Sequence, residues 1–431
     1  MSAPQHAQAS TSDSREKPDS TVFGVHLSYA FRALSHRNFR LFFMGQFVSR
    51  VGFWMQSMAQ AWLVYRLTDS SLMLGLVAFA GQVPTLLFGL FAGVVADRCN
   101  RYRVILFSLI LALVQALVLG ILTMGGWITV WQVFPLALIA GTIQAFEMPA
   151  RQSFLMEIVG RDDITSAVAL NSTVVSGARI LGPALAGLFV AQFGEGVCFV
   201  FNGLSYVPII GGFLAMRLPP RPETGPATSS TATFIREGIT YVLQTPAIRL
   251  LLILISVISL LSTPYTVLMP IFAADILHSG PNGMGMLMGS AGAGAVVGAL
   301  LLARHRDTQK LGRVVAIALI RFGIGLILFS WSKHFWLSML VLPLVGSGFM
   351  VPMSAINTLL QTLTPDHLRG RVMSLFFIMF MGAPPIGSLL AGFLAPIIGA
   401  PLTVGSMGAG CLLAAGYVFL NLHLLREATS S

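Results

Sequence analysis

The sequence predicts an all-α integral membrane protein of twelve transmembrane helices, arranged as two six-helix pseudo-repeat bundles. Composition, the number of long apolar runs and an internal repeat predict it together. Of 431 residues, 55% are hydrophobic and only 10% are charged, against roughly 25% charged in an ordinary soluble domain. With a mean hydropathy of +0.80, too little polar side chain is available to coat a water-facing globule, so lipid must be the solvent for most of the surface.

A helix needs about 20 mostly apolar residues to cross the hydrocarbon core. Such runs fall at 41–65, 72–96, 103–124, 130–150, 166–192 and 196–216, then at 247–273, 283–303, 313–331, 335–358, 370–397 and 401–424. Residues 1–20 are polar, and 1–30 is assigned to a disordered cytoplasmic tail with no cleaved signal peptide expected. The first bundle is assigned to 31–216 and the second to 247–425, with a linker at 217–246 between them. Pro, Ser and Thr are dense from Arg217 to Thr233. From Phe234 to Arg249, Ile235, Ile239, Val242 and Leu243 recur at helical spacing, which predicts a short amphipathic helix on the membrane surface.

The net charge of +10 does not mark a nucleic-acid binder, because the basic residues form no single stripe. They cluster in alternate loops: Arg98, Arg101 and Arg103; Arg151 and Arg161; Arg217 and Arg221; Arg304, Arg306 and Lys310; Arg369 and Arg371. The intervening loops hold only Arg66 and Lys333. Positive residues stay on the cytoplasmic side, so an even number of spans with both termini in the cytoplasm of a cell inner (plasma) membrane is expected. Cys99, Cys198 and Cys411 lie far apart; they offer neither a disulfide framework nor a metal site, and no cofactor is expected.

The halves are related. A shift of 205 positions puts Gly93 on Gly298, Gly182 on Gly387, Ala186 and Gly187 on Ala391 and Gly392, and Gly194 on Gly399. Parallel six-helix repeats are one of the known transporter plans, with substrate bound near mid-membrane where the repeats meet.

Local motifs give this plan chemistry. Gly93, Asp97, Arg98 and Arg101 close the second span as GVVADRCNR. A small residue there permits close helix approach. An acid at the membrane surface can pair with an Arg and with the positive end of a helix from the other bundle. Such a latch holds one conformation and breaks in the other; the simpler reading of the positive charges is orientation alone. In the fifth span, Gly182, Pro183 and Gly187 combine close backbone contact with a missing hydrogen-bond donor, so the helix can bend; plain helix packing is the alternative.

The loop GVVADRCNR resembles the major facilitator signature between helices 2 and 3. GFWMQ at 52–56, MPARQ at 148–152, ARILGPALAG at 178–187 and LRGRVMS at 368–374 resemble the exporter branch that holds the enterobactin exporter and the transmembrane secretion effectors. The resemblance covers nearly all of residues 30–425 and implies the major facilitator fold and secondary active transport. The second-half counterpart of the loop, running from Gly298 to Arg304 and Arg306, lacks the acid, and Phe53 stands where many relatives carry a polar residue.

Polar groups inside the spans point to the path. Gln46, Arg50, Ser57 and Gln60 recur at helical spacing in span 1, with Trp54 beside them. Ser256, Ser259, Thr263 and Thr266 form a stripe in span 7, and Ser347, Ser354 and Asn357 another in span 10. The resemblance implies that spans 1, 4, 7 and 10 line a central cavity. The expected cavity set is therefore Gln46, Arg50, Trp54, Ser57, Gln60, Gln144, Arg179, Thr263, Ser354 and Asn357. A charge in hydrocarbon is costly and needs a partner or water. Arg321, in a span that the resemblance puts on the periphery, reads as structural. Glu147 is expected either to accept from Arg101 or Arg151 in the latch, or to carry a coupling proton.

The expected partners are a small-molecule substrate, membrane lipid and a proton as counter-ion, with the protein a monomer. The cationic excess within the membrane favours a substrate of anionic or hydrogen-bond-accepting character, and Phe53 and Trp54 suit an apolar portion. Export of an amphipathic siderophore-like or drug-like molecule is the leading reading. Uptake and a non-transporting receptor or scaffold are the alternatives. No H-E-x-x-H, no G-x-S-x-G and no paired acids within spans point to an enzyme.

Overall fold

The computed structural model describes residues 32–160, 163–217, 231–303 and 310–430. The expected tail at 1–30, residues 218–230 of the linker, and Arg304 and Arg306 lie outside them. So do the side chains of Asp97 and Arg98.

The first six long helices are α1 (Arg37–Thr68), α2 (Ser71–Arg98), α3 (Arg101–Met124), α4 (Val130–Val159), α5 (Ile164–Phe193) and α6 (Glu195–Leu214). A shorter helix, α7 (Thr231–Gln244), leads to the second six. These are α8 (Pro246–Val267), α9 (Gly280–Ala303), α10 (Leu311–Trp331), α11 (Phe335–Leu363), α12 (Asp366–Ile398) and α13 (Ala400–Leu420), and α14 (Leu422–Ser430) closes the chain. Met269–Ile271 and one π-type turn, Phe272–Ile276, extend α8. The boundaries follow local chemistry. Ser70 caps α2 by accepting from the Met73 N–H at 3.4 Å, and Asn100 caps α3 through the Arg103 N–H. Gly194 and Gly399 end α5 and α12 at φ 80° and 84°, backbone that a Cβ would strain.

Among the described residues, eleven helices are long and apolar enough to cross a membrane. The twelfth long helix, α1, is not one of them, because Gln46, Ser49, Arg50, Gln56, Ser57 and Gln60 interrupt its 32 residues. It packs against α5 and α6 inside the first bundle. The amphipathic α7 lies on α12, where Glu237 accepts from Arg371 Nη1 at 2.5 Å.

The two bundles meet along two seams, α5 on α9 and α2 on α12. Both run through glycine. A Cβ on Gly187 would come within 2.7 Å of the Pro281 carbonyl oxygen, and one on Gly285 within 2.4 Å of the Pro183 oxygen. On the other seam, a Cβ on Gly75 would sit 2.6 Å from the Ser388 oxygen and 2.8 Å from Gly392 Cα. Backbone approach this close needs residues without side chains. The 205-residue repeat is thus visible as contacts. Gly182 abuts Trp54 of α1 as Gly387 abuts Thr263 of α8, while Gly187 and Gly392 each face the opposite bundle.

The cores divide the molecule along its length. One apolar core draws on both bundles, joining Met55, Leu63 and Leu74 to Phe272, Met284 and Ala391. It lies toward the end that carries the short connections at 68–71, 193–195 and 276–280. At the opposite end there are two separate cores, one around Phe39, Phe154 and Phe213 and the other around Ile248, Leu359 and Phe376. The molecule is joined at one end and split at the other. Trp127, Trp131, Trp331 and Trp336 stand exposed at the joined end, where indoles favour the membrane–water boundary.

Candidate functional site

A cavity of about 490 Å³ lies between the bundles, within the size range of small-molecule sites. Helices α1, α2, α4 and α5 line one side, and α8, α9, α11 and α12 the other. Its wall is mostly apolar, including Phe53, Val77, Met284, Met288, Phe349 and Phe380.

The polar groups on this wall are few. Trp54, Ser57, Gln60, Gln144, Arg179 and Thr263 of the expected set all line it. They converge because Gly182 lets α5 ride directly on Trp54, its Cβ position lying 2.4 Å from the Trp54 Cβ. The Arg179 guanidinium sits over the Trp54 ring, 5.1 Å from its centroid. Indole takes the place of a carboxylate, leaving the cation at the wall, where it can meet a ligand acceptor. Pro183, one turn on, also lines the cavity. Thr263 donates to the Ser259 carbonyl oxygen at 2.8 Å.

Four expected residues line no part of this cavity. Gln46 turns into the first bundle and donates to Asn171 Oδ1 at 2.5 Å. Arg50 lines a separate small void. Ser354 and Asn357 lie farther along α11, where Asn357 accepts from Gln361 Nε2 at 2.5 Å. Helical spacing identified the polar faces of α1 and α11, but the whole length of such a face does not reach one void. Gln82, Tyr265 and Thr266 also line the cavity. Gln82 donates to Ser388 Oγ across the α2–α12 seam at 3.3 Å, and the apolar run around it hid it in the sequence.

The ion pairs depart from expectation in one respect. Glu147 pairs with Arg151 one turn along α4, and both are buried. Arg101 instead pairs with Glu157 at 2.5 Å. Glu157 stands at the end of α4 nearest the N-terminus of α3, whereas Glu147 is almost three turns deeper. Gly93 has open space where its Cβ would be, because the bundles are apart at that end. Arg321 donates to Ser347 Oγ of the neighbouring α11 at 2.5 Å, a contact within one bundle. At the joined end, Tyr65 of α1 donates to Asp275 in the π-type turn. Turns of this kind are frequent at functional positions.

The family model described as transmembrane secretion effector matches residues 28–431. The multidrug efflux pump Tap of Mycolicibacterium fortuitum is 29% identical over 374 residues, covering 85% of this chain and 91% of the pump. The staphyloferrin A transporter of Staphylococcus aureus is 24% identical, covering 89% of this chain and 96% of the relative. The macrolide efflux protein A of Streptococcus pyogenes is also 24% identical, covering 82% and 88%. Among solved structures, the peptide transporter POT superposes with a TM-score of 0.72 at 14% identity, covering 90% of this chain and 95% of that one. A bacterial homologue of the human lysosomal transporter Spinster gives 0.68 at 14%, covering 93% and 98%. Helix plan, bundle seams, central cavity and family match agree: the chain belongs to the transmembrane secretion effector family of major facilitator transporters.

Proposed function

We propose that this protein exports an amphipathic small molecule, siderophore-like or drug-like, by alternating access. The observation that carries this reading is the cavity: largely apolar, lined by both bundles, and holding the cationic Arg179 on Trp54. Such a wall accepts an apolar body and one anionic or acceptor group. The names of the relatives, multidrug and macrolide efflux and staphyloferrin transport, support the substrate class. The positive-inside bias puts both termini and the split end in the cytoplasm. The cavity then faces inward, ready to load from the cytoplasm, with the joined end sealed by the glycine seams and the Tyr65–Asp275 bond. In the opposite state the latch of Asp97, Arg98 and Arg101 closes the split end, and Gly93 finds its packing partner there. A proton moving inward drives the cycle, with Glu147 as its carrier, and the monomer is the working unit.

The test is transport in everted membrane vesicles. Imposing an acidic interior should drive uptake of a macrolide or a carboxylate siderophore from a panel of such compounds. Glu147→Gln should abolish the response to the proton gradient while leaving substrate exchange intact. Accumulation in intact cells, with none in everted vesicles, would instead establish uptake.

A further inference from the structure

Behind the substrate cavity, inside the first bundle, lies a second void of about 40 Å³. A single water occupies only about 10–15 Å³, so the void has room for a small ligand. Beside Ala112 and Ile143, its wall carries Ser49, Arg50, Gln115, Glu147, Arg151, Asn202 and Tyr206. Phe53, Gln56, Ala140 and Gln144 are shared with the larger cavity, so the two spaces are neighbours.

The hydrogen-bond accounting around this void is one-sided. Its amides satisfy one another: Gln56 donates to Gln115 Oε1 at 3.2 Å, Asn202 donates to Gln56 Oε1 at 2.8 Å, and Gln115 donates to the Leu136 carbonyl oxygen at 3.2 Å. The cations are not satisfied. Arg151 is 8% exposed and spends Nη2 on Glu147, but its Nε and Nη1 are buried with no acceptor. The Arg50 Nε is likewise buried without one, and among the described residues Arg50 makes no ion pair. Two guanidinium groups thus line the void with one carboxylate, which is paired to Arg151, leaving one positive charge in excess. Arg151 also has the Phe42 ring at 5.6 Å, so Arg50 is the cation most in need of a counter-charge. Unpaired guanidinium donors in a membrane interior cost several kcal/mol, and arginine cannot shed its proton to escape that cost.

We propose that Arg50 and Arg151 form a binding site for one monovalent anion in this void. The ligand is either a free inorganic ion or the anionic head of a molecule seated in the main cavity; both present the same charge and acceptor oxygens or halide to the same donors. Glu147 lies on the same wall and opposes the anion, which sets the affinity below what two arginines alone would give. The inference goes beyond the transport reading and is tested by binding alone, so it can fail or hold without that reading doing so.

The experiment uses the purified full-length protein in lipid nanodiscs, with ionic strength held constant in gluconate. Chloride, nitrate, acetate and benzoate are titrated in separately, and thermal unfolding is followed. A saturable rise in Tm is expected for at least one of them. Chloride and nitrate acting alone identify an inorganic ion; acetate and benzoate acting alone identify a substrate head group. Arg50→Gln should weaken the response at least about tenfold, Arg50→Lys should restore part of it, and Glu147→Gln should tighten it at least about tenfold. If Arg50→Gln does not fold, the Glu147→Gln result decides. No anion dependence in the wild type, the same dependence in a cooperatively melting Arg50→Gln protein, or no tightening in Glu147→Gln overturns the proposal.

Discussion

Arg179 and Arg321 show how the same residue type divides between two tasks. Arg179 stands at the cavity wall over Trp54, whereas Arg321 is tied to Ser347 within its own bundle. A cation–π contact contributes about 0.5–2 kcal/mol. Arg179→Ala also withdraws the cation offered to a ligand acceptor, a charged hydrogen bond of about 1.5–3 kcal/mol, so it is expected to raise the transport KM roughly 10- to 150-fold with a small fall in Tm from the lost ring contact, as measured by concentration-dependent uptake into vesicles. Arg321→Ala should do the reverse. Losing a hydrogen bond to a charged group costs about 1.5–3 kcal/mol, so its Tm falls while its KM stays put. Equal KM effects in both variants would remove the distinction. The sequence sets them apart, with Arg179 in the expected cavity set and Arg321 structural through the peripheral place the resemblance gives its span; which groups each one touches is decided by helix packing.

At the scale of the helix, glycine rather than leucine sets how tightly these elements pack. Lipid is as apolar as leucine, so burying apolar side chains supplies no drive between helices, and close backbone contact takes its place. A Cβ on Gly346 of α11 would fall within 1.8 Å of the Ala291 carbonyl oxygen of α9, and one on Gly141 of α4 within 2.2 Å of the Gly81 oxygen of α2. No flexible side-chain end is available there to yield. Gly346→Ala and Gly141→Ala should each destabilise by about 1–3 kcal/mol, read as a lower Tm in detergent. Gly89→Ala, where the space is open, should not lower Tm and should raise it slightly, since alanine favours helix by about 1 kcal/mol over glycine. The contrast within α2, tight at Gly75 and open at Gly89, follows the joined and split ends of the molecule.

For the whole molecule, the proposed transport cycle requires the joined end to come apart. Gly187→Val would place methyl groups against the Pro281 backbone, and Tyr65→Phe would remove the donor to Asp275. Both favour a state in which that end opens, because each penalises only the joined one. The measurement is labelling of a cysteine at Gln60 in a background lacking Cys99, Cys198 and Cys411. An impermeant maleimide added outside intact cells should react several-fold faster in Gly187→Val than in the parent, with Tyr65→Phe intermediate. Unchanged labelling in both would show that the seam and the Tyr65 bond do not hold that end shut.

Helix number and the six-plus-six division were legible in the sequence, because they rest on lengths of apolar run and on charges that lipid penalises wherever the chain goes. The pseudo-repeat was legible too: glycines at one fixed shift, such as Gly182 with Gly387 and Gly187 with Gly392, occupy matching seams. Which polar residues share a void was not. Gln46, Arg50, Ser57 and Gln60 lie along one helix, yet only the last two reach the central cavity, while Arg50 joins Glu147 and Arg151 behind it. Glu157, not Glu147, answers Arg101. Periodicity determines the face of a helix on which a side chain stands, but only the packing of neighbouring helices decides whether that face meets a void, a partner or lipid at a given depth.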